Sequence, residues 1–318
     1  MITKLIDKIQ NNVDISKADA IELLNIEVGS EDYYRLLSIS NEISRKQFKN
    51  NGSIFTQVGI DAQKCDVNCK FCSFAKDSYN GCSSIKSIEE VVLLAKKSVM
   101  QGAKEIFIMT TANFNLMNFL EYVKCVREAL PPNVNLIVNT GDFNQDYAYK
   151  LKKLGVHGVY HICRLGEGID TDVTVETRIN TLDYIKNAGM EIYYCVEPIG
   201  PEHTYNQIAD EIFRAKDYPV TVMAVMKRVA VEGTPLFQKG MITNAETSKI
   251  AAVTNICVRP KRAMGVHEPM EICLMSGCNQ VYAEIGTNPR DIDENTEKNR
   301  GFSIQKAKML LSNSGWTI

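Results

Sequence analysis

The sequence predicts an α/β fold, a (β/α)8 TIM-type barrel, complete or slightly open, with an N-terminal helical extension. Three observations carry that expectation. From Ser53 onward, short apolar runs alternate with amphipathic stretches, the pattern of parallel strands joined by helical crossovers. Seven or eight such units fit between residues 51 and 318, and a single barrel takes roughly 250 residues or more. Several predicted helices also stop on glycine after basic residues: Gly102 after Lys96 and Lys97, Gly155 after Lys152 and Lys153, and Gly189 after Lys186.

In chain order, residues 1–50 form the extension. Ser16 is placed to cap a helix containing Ala18, Ile21, Leu23 and Leu24, and Ser30 another containing Tyr33, Leu36, Leu37, Ile39 and Ile43. Residues 51–318 form the barrel. Its strands are expected at Ile54–Ile60, Glu105–Met109, Asn135–Val138, Gly158–Ile162, Ile192–Val196, Val220–Met226 and Gln280–Glu284, with a weaker one at 258–264. Helices are expected near 88–101, 115–129, 144–154, 175–187, 204–216, 244–256 and 303–313. The polar stretch Thr287–Arg300 is expected to be a surface loop. No linker, repeat or low-complexity tract interrupts the pattern.

Composition narrows the function classes. With 36 basic and 38 acidic side chains the net charge is −2, which argues against a broad nucleic-acid-binding surface. No apolar run reaches the roughly 18 residues of a membrane span. The N-terminus lacks the apolar core of a secretion signal, so a cytoplasmic location is expected. There are ten cysteines in 318 residues, too few for a disulfide scaffold. Three of them fall within eight residues, in Cys65-Asp-Val-Asn-Cys69-Lys-Phe-Cys72, just after the first strand. Three thiolates at that spacing in one loop can hold one face of an iron–sulfur cube and leave its fourth iron without a cysteine. Ferredoxin spacings differ and supply four cysteines per cluster. A structural zinc site would want four closed ligands, with Cys82 the nearby candidate, and a catalytic zinc site usually brings in histidine.

The CxxxCxxC motif, with the aromatic Phe71 before its last cysteine and its place at the end of the first barrel strand, resembles the radical S-adenosylmethionine (SAM) superfamily. The likeness runs over nearly the whole chain and sharpens to the biotin-synthase-like branch, which includes biotin synthase, the iron-hydrogenase radical maturase, methylornithine synthase and two-protein lipoyl synthases. It rests on the helical extension, the Arg178-Ile-Asn-Thr-Leu helix, Ile199-Gly200-Pro201-Glu202, Gly233-Thr234-Pro235-Leu236, and an Ala263-Met264-Gly265 turn. It implies a 4Fe-4S cluster on Cys65, Cys69 and Cys72, with SAM chelating the open iron. It also implies that Arg178, Arg164 and Glu167 orient SAM, that the Thr110-Thr111-Ala112-Asn113 loop meets its amino group, and that Val229 and Phe71 approach the adenine. The Thr110 loop departs from the usual glycine-rich form. Core packing is the alternative role for Val229 and Phe71.

Biotin synthase itself is not expected. The positions of its second-cluster cysteines hold Phe107–Ile108, Val138 and Tyr193, and its asparagine-rich run is replaced by Tyr160-His161-Ile162-Cys163-Arg164. Met226 stands in place of its strand-six asparagine. An auxiliary iron–sulfur cluster, which sulfur insertion would need, would have Cys163 and Cys195 as its best ligands. Burial as small side chains is the other reading of these two, and the one preferred for Cys125, Cys257 and Cys273. His161, Cys195, Glu197, His267 and Glu268 fall near strand ends, where a barrel builds its active site, and are the candidates for substrate binding or proton transfer.

The expected activity is reductive cleavage of SAM and hydrogen abstraction in a cofactor or small-molecule biosynthetic step, by sulfur insertion or by carbon-skeleton or C–S bond chemistry. The expected partners are a small-molecule or carrier-bound substrate and an external electron donor of flavodoxin or ferredoxin type. A non-catalytic iron–sulfur scaffold or electron carrier is the rival.

Overall fold

The computed structural model describes residues 2–285 and 302–318. Three helices come first: α1 (Ile2–Gln10), α2 (Lys17–Leu24) and α3 (Glu31–Gln47). Ser16 and Ser30 cap α2 and α3, accepting from the amides of Asp19 and Tyr33. The first barrel strand, β1 (Ser53–Gly59), is followed by a small antiparallel pair, β2 (Asp61–Ala62) and β3 (Ser84–Ile85), that the sequence pattern did not signal. Then come α4 (Ile88–Met100), β4 (Glu105–Met109), α5 (Leu116–Ala129), β5 (Asn135–Asn139), α6 (Gln145–Lys153), β6 (Gly158–Tyr160), α7 (Val175–Asn187) and β7 (Glu191–Ile199). The chain finishes with α8 (Tyr205–Lys216), β8 (Val220–Lys227), α9 (Asn244–Val258), β9 (Ala263–His267), α10 (Glu271–Met275), β10 (Gln280–Ile285) and α11 (Ile304–Asn313). The stretch 287–300 lies outside the described residues.

All eight strands β1 and β4–β10 are parallel neighbours, and the ring closes through β1 against β10, so the barrel is complete. The main correction concerns β9. The expected strand at 258–264 is displaced because α9 runs to Val258 and ends at Arg259, which has φ 47° and stands before Pro260. Ala263-Met264-Gly265, expected as a turn, is therefore the start of β9. This puts His267 on the strand itself, paired with Met226.

Aromatic rings fill the barrel interior where branched aliphatics are usual. Phe55 and Phe107 lie 4.3 Å apart, Tyr193 meets Phe107 edge-on at 5.2 Å, and Tyr282 packs 6.0 Å from Phe55. Beneath them, at the N-terminal ends of the strands, Glu105 accepts from the Tyr193 hydroxyl (2.9 Å), Gln280 Nε2 (2.9 Å) and Asn135 Nδ2 (3.1 Å), and pairs with Arg262 Nη1 (2.7 Å). A carboxylate buried this deeply needs such partners. They plug the floor of the barrel.

The extension is fastened to the barrel helices by buried polar contacts. Asn255 on α9 donates to Ser40 Oγ and Ser44 Oγ, each at 2.9 Å, and the Tyr33 hydroxyl meets Ser248 Oγ at 2.8 Å. The Arg45 guanidinium lies 3.7 Å over the Trp316 ring.

Candidate active site

The segment Gln63–Ser83 leaves the barrel after β2 and returns at β3, so the small antiparallel pair closes the base of the cysteine loop. Inside the loop, the Cys65 amide donates to Phe74 O (2.8 Å), the Cys72 amide to Cys69 O (3.0 Å), and the Phe74 amide to Cys72 Sγ (3.3 Å). Asn68 sits at φ 50°, a left-handed turn that asparagine tolerates and that doubles the chain back between the first two cysteines. Three neighbouring loops pin this turn. Asn113 Oδ1 accepts from the Asp66 amide (2.8 Å). The Lys70 and Asp172 amides donate to Asp170 O and Val67 O at 2.9 and 2.8 Å, and the Leu236 amide donates to Lys70 O (3.0 Å). The Gly233–Leu236 segment thus acts as one wall of the cysteine loop.

The three cysteines open into a cleft of about 120 Å³ at the C-terminal mouth of the barrel, lined also by Asp61, Thr110, Thr140, Gly141, Arg164 and Arg178. Burial pushes the Cys69 thiol up to about 11, partly offset by Arg164, and pushes Cys72 higher still. A metal held by these sulfurs would deprotonate them, as it does any coordinating thiol. A loop that gathers one buried and two half-buried thiols beside a guanidinium fits an iron–sulfur cluster with one iron left for a ligand in the cleft. Gly141 lets the cleft floor close up, since a Cβ there would lie 2.8 Å from Ala112 O.

Behind the cleft runs a buried charge network. Arg178 donates from Nε to Glu167 Oε2 (3.1 Å) and from Nη1 to Asp142 Oδ2 (2.8 Å). Glu167 also accepts from the Arg164 amide (3.0 Å) and the Thr171 hydroxyl (2.6 Å). Burial would raise both carboxyls, but Arg164 and Arg178 hold Glu167 below the usual range, and His161 and Arg178 hold Asp142 well below it. His161 Nε2 stands 3.2 Å from Asp142 Oδ1, and burial lowers the imidazole's proton affinity. Asp61 is the other carboxylate of the mouth. It accepts from the Thr111 amide (2.8 Å) and hydroxyl (2.5 Å), and burial pushes its carboxyl up.

A second group lies further into the barrel. Cys195 and Glu197 on β7 and His267 on β9 are all buried, and their ligand-capable atoms lie within 4.8 Å of one another. Glu197 Oε2 accepts from the Tyr160 hydroxyl (2.9 Å), and the Tyr160 and His267 rings stack at 5.7 Å. Tyr282 connects Glu268 to this group: its hydroxyl donates to Glu268 Oε1 (3.3 Å), and its ring meets His267 edge-on at 5.5 Å. Arg164 Nε is 3.9 Å from Glu197 Oε1, so one guanidinium stands between the cysteine cleft and the inner group.

The site residues expected from sequence thus separate into two sets. Cys65, Cys69, Cys72, Thr110, Arg164 and Arg178 line the cleft, with Glu167 behind it. Cys195, Glu197, His267 and Glu268 gather below, while His161 stands apart with Asp142. Phe71 and Val229 are half-buried and outside the cleft lining, where Phe74 is found. The Cys163 amide donates to the Tyr194 hydroxyl (3.2 Å) and burial pushes its thiol up to about 12, with Glu211 and Arg214 of α8 among its charged neighbours. Asp61, Asp142 and Tyr160 were missed. Asp61 and Asp142 each follow a barrel strand by two or three residues, a signal that was available.

Residues 60–215 match the family model described as Radical SAM superfamily. The chain is 22% identical to biotin synthase of Carboxydothermus hydrogenoformans, covering 96% of this chain and 98% of that one. It is 26% identical to biotin synthase of Clostridioides difficile, covering 81% and 83%. The fold superposes on the FeFe-hydrogenase maturase HydG from Carboxydothermus hydrogenoformans with a TM-score of 0.81 at 15% identity, covering 99% of this chain and 78% of that one. On methylornithine synthase (PylB) it gives 0.81 at 18% identity, covering 98% and 96%. Among the described residues no helix is long and apolar enough to cross a membrane.

Proposed function

We propose that this chain is a radical SAM enzyme of the biotin-synthase-like branch, which cleaves SAM reductively and abstracts a hydrogen atom from a small or carrier-bound substrate in a biosynthetic step. The match of residues 60–215 to the Radical SAM superfamily and the low-identity biotin synthase relatives support this reading. The observation that carries this is one cleft lined at once by Cys65, Cys69, Cys72, Thr110, Arg164 and Arg178. When bound, the cluster supplies one electron to the sulfonium of SAM, whose C–S bond breaks to leave methionine and a 5′-deoxyadenosyl radical. Electrons come from an external donor of flavodoxin or ferredoxin type.

The chain's own residues bind and orient. Arg164 and Arg178 offer guanidinium donors to the methionine carboxylate, which suits bidentate recognition. Arg178 commits Nε to Glu167 and Nη1 to Asp142, so its position is set before any ligand arrives. Thr110 is held by its hydroxyl bond to Thr140 (2.9 Å). The aromatic interior and the plugged floor exclude water around the radical. Burial keeps the Tyr160 phenol protonated against Glu197, so the inner group holds a defined proton beside the substrate space.

A carbon-skeleton or bond-cleavage step is favoured over sulfur insertion. Cys195 is grouped with Glu197 and His267, whereas Cys163 sits against Tyr194, Glu211 and Arg214, so the two do not gather as ligands of one auxiliary cluster. The test is anaerobic iron and sulfide analysis with a 5′-deoxyadenosine assay under dithionite. About four irons and SAM cleavage are expected in the native protein, and neither in the Cys65→Ala/Cys69→Ala/Cys72→Ala variant. Four irons surviving in that variant would reinstate sulfur insertion. A cluster without SAM cleavage would make the protein an electron carrier or scaffold.

A further inference from the structure

We propose that Cys195, Glu197 and His267 form a binding site for a single thiophilic divalent transition ion, Zn2+ or Fe2+, separate from the cysteine loop. Among the described residues they are the one set of three cysteine, histidine or carboxylate side chains whose ligand atoms all lie within 4.8 Å. Ligands 2.0–2.3 Å from a common tetrahedral centre stand about 3.3–3.8 Å from one another. Closing this group onto an ion therefore asks for shifts of roughly 1 Å or less, within the reach of χ adjustments.

The chemistry of the set is selective. Hard cations such as Mg2+ and Ca2+ take oxygen ligands. One thiolate, one imidazole and one carboxylate suit Zn2+ or Fe2+. Thiolate and carboxylate together carry two negative charges, which a divalent ion neutralises. Ligand orientation is already in place. The Tyr160 hydroxyl holds Glu197 Oε2 at 2.9 Å, and His267 Nδ1 stands 3.9 Å from the same oxygen. The Tyr160 and Tyr282 rings bracket the imidazole at 5.7 and 5.5 Å, fixing its plane.

The alternating geometry of β7 sends Cys195 and Glu197 to one face, and the pairing of β8 with β9 sets His267, on the next strand but one from β7, level with Met226 of β8. Three protein ligands leave a coordination position, as catalytic rather than structural ions do. Arg164 bounds the space between this group and the cleft. A substrate carboxylate, amine or thiolate taking that position would lie next to the cysteine cleft.

The test uses the cluster-reconstituted enzyme and the Cys65→Ala/Cys69→Ala/Cys72→Ala variant, each dialysed against Zn2+ and titrated anaerobically with Co2+. The site predicts one zinc per chain beyond the cluster iron, and one Co2+ with a thiolate-to-cobalt charge-transfer band. Both should persist in the triple variant, so this outcome stands or falls separately from the radical SAM activity. Cys195→Ser should abolish the band. Tyr160→Phe should keep it and weaken binding roughly 10–100-fold, the effect of losing a second-sphere partner. Cobalt bound without the band, or zinc retained undiminished in both Cys195→Ser and His267→Ala, would overturn the proposal. So would the absence of binding in a reconstituted enzyme that cleaves SAM. The group would then be a hydrogen-bonding surface for the substrate alone.

Discussion

Arg178 resembles a SAM-contacting arginine, yet its surroundings give it a second task whose size can be worked out. Its side chain is 4% exposed and is paired with Glu167 Oε2 at 3.1 Å and Asp142 Oδ2 at 2.8 Å, and the Glu167 side chain is 0% exposed. Replacing it with methionine keeps much of the volume but strands two carboxylates. Breaking a buried pair by removing one partner costs about 3–5 kcal/mol. At roughly 2–4 °C of Tm per kcal/mol for a large domain, Arg178→Met should lower Tm by roughly 6–20 °C. The triple change Arg178→Met/Asp142→Asn/Glu167→Gln removes the stranded charges along with the cation, so it should recover at least half of that loss. Thermal unfolding of the cluster-free proteins, followed by circular dichroism, measures this without SAM. A single-variant loss under about 1 kcal/mol, or a triple variant no more stable than the single, would refute the assignment and leave Arg178 as a ligand contact only.

Other perturbations separate floor, cleft and titration effects. Glu105→Leu leaves Arg262 and the Tyr193 hydroxyl at the barrel floor without their carboxylate. It should cost about 3–5 kcal/mol in urea unfolding while iron content in the surviving folded protein stays native. Gly141→Ala places a Cβ 2.8 Å from Ala112 O, displacing the loop beside Thr110. SAM affinity by equilibrium dialysis should fall several-fold with the iron count unchanged, and unaltered affinity would show that this loop does not shape the ligand site. Burial lowers the affinity of His161 and His203 for protons, so the unfolded chain binds more protons than the folded one below about pH 6.5. Stability should thus be full above pH 6.5 and fall as the pH drops, by at most about 1.4 kcal/mol per pH unit for each group. Urea midpoints for native protein and His161→Gln from pH 5 to 8 check this: the variant's slope should be shallower, and identical slopes would contradict it.

Much of the architecture could be read along the chain because it is periodic. Strands such as Glu105–Met109 and helices such as Val175–Asn187 lie where expected, since apolar spacing and caps are local properties. The β9 displacement shows the limit. Val258 continues a helix on its spacing, and the helix stops only at Arg259, whose left-handed backbone stands before Pro260. The CxxxCxxC motif was legible for a similar reason, because Cys65, Cys69 and Cys72 are neighbours in the sequence.

What the amino-acid order settled by itself is the barrel, its extension and the CxxxCxxC loop, each written in neighbouring residues. The tertiary structure alone decided which distant polar groups meet. Asp142 joins Arg178 across 36 positions, and His267 joins Cys195 and Glu197 from a strand two places further round the ring. Strand register and barrel closure set those meetings, and neither leaves a trace in local spacing. They also placed Cys163 beside Tyr194, away from the Cys195 group, a separation that position along the chain could not reveal.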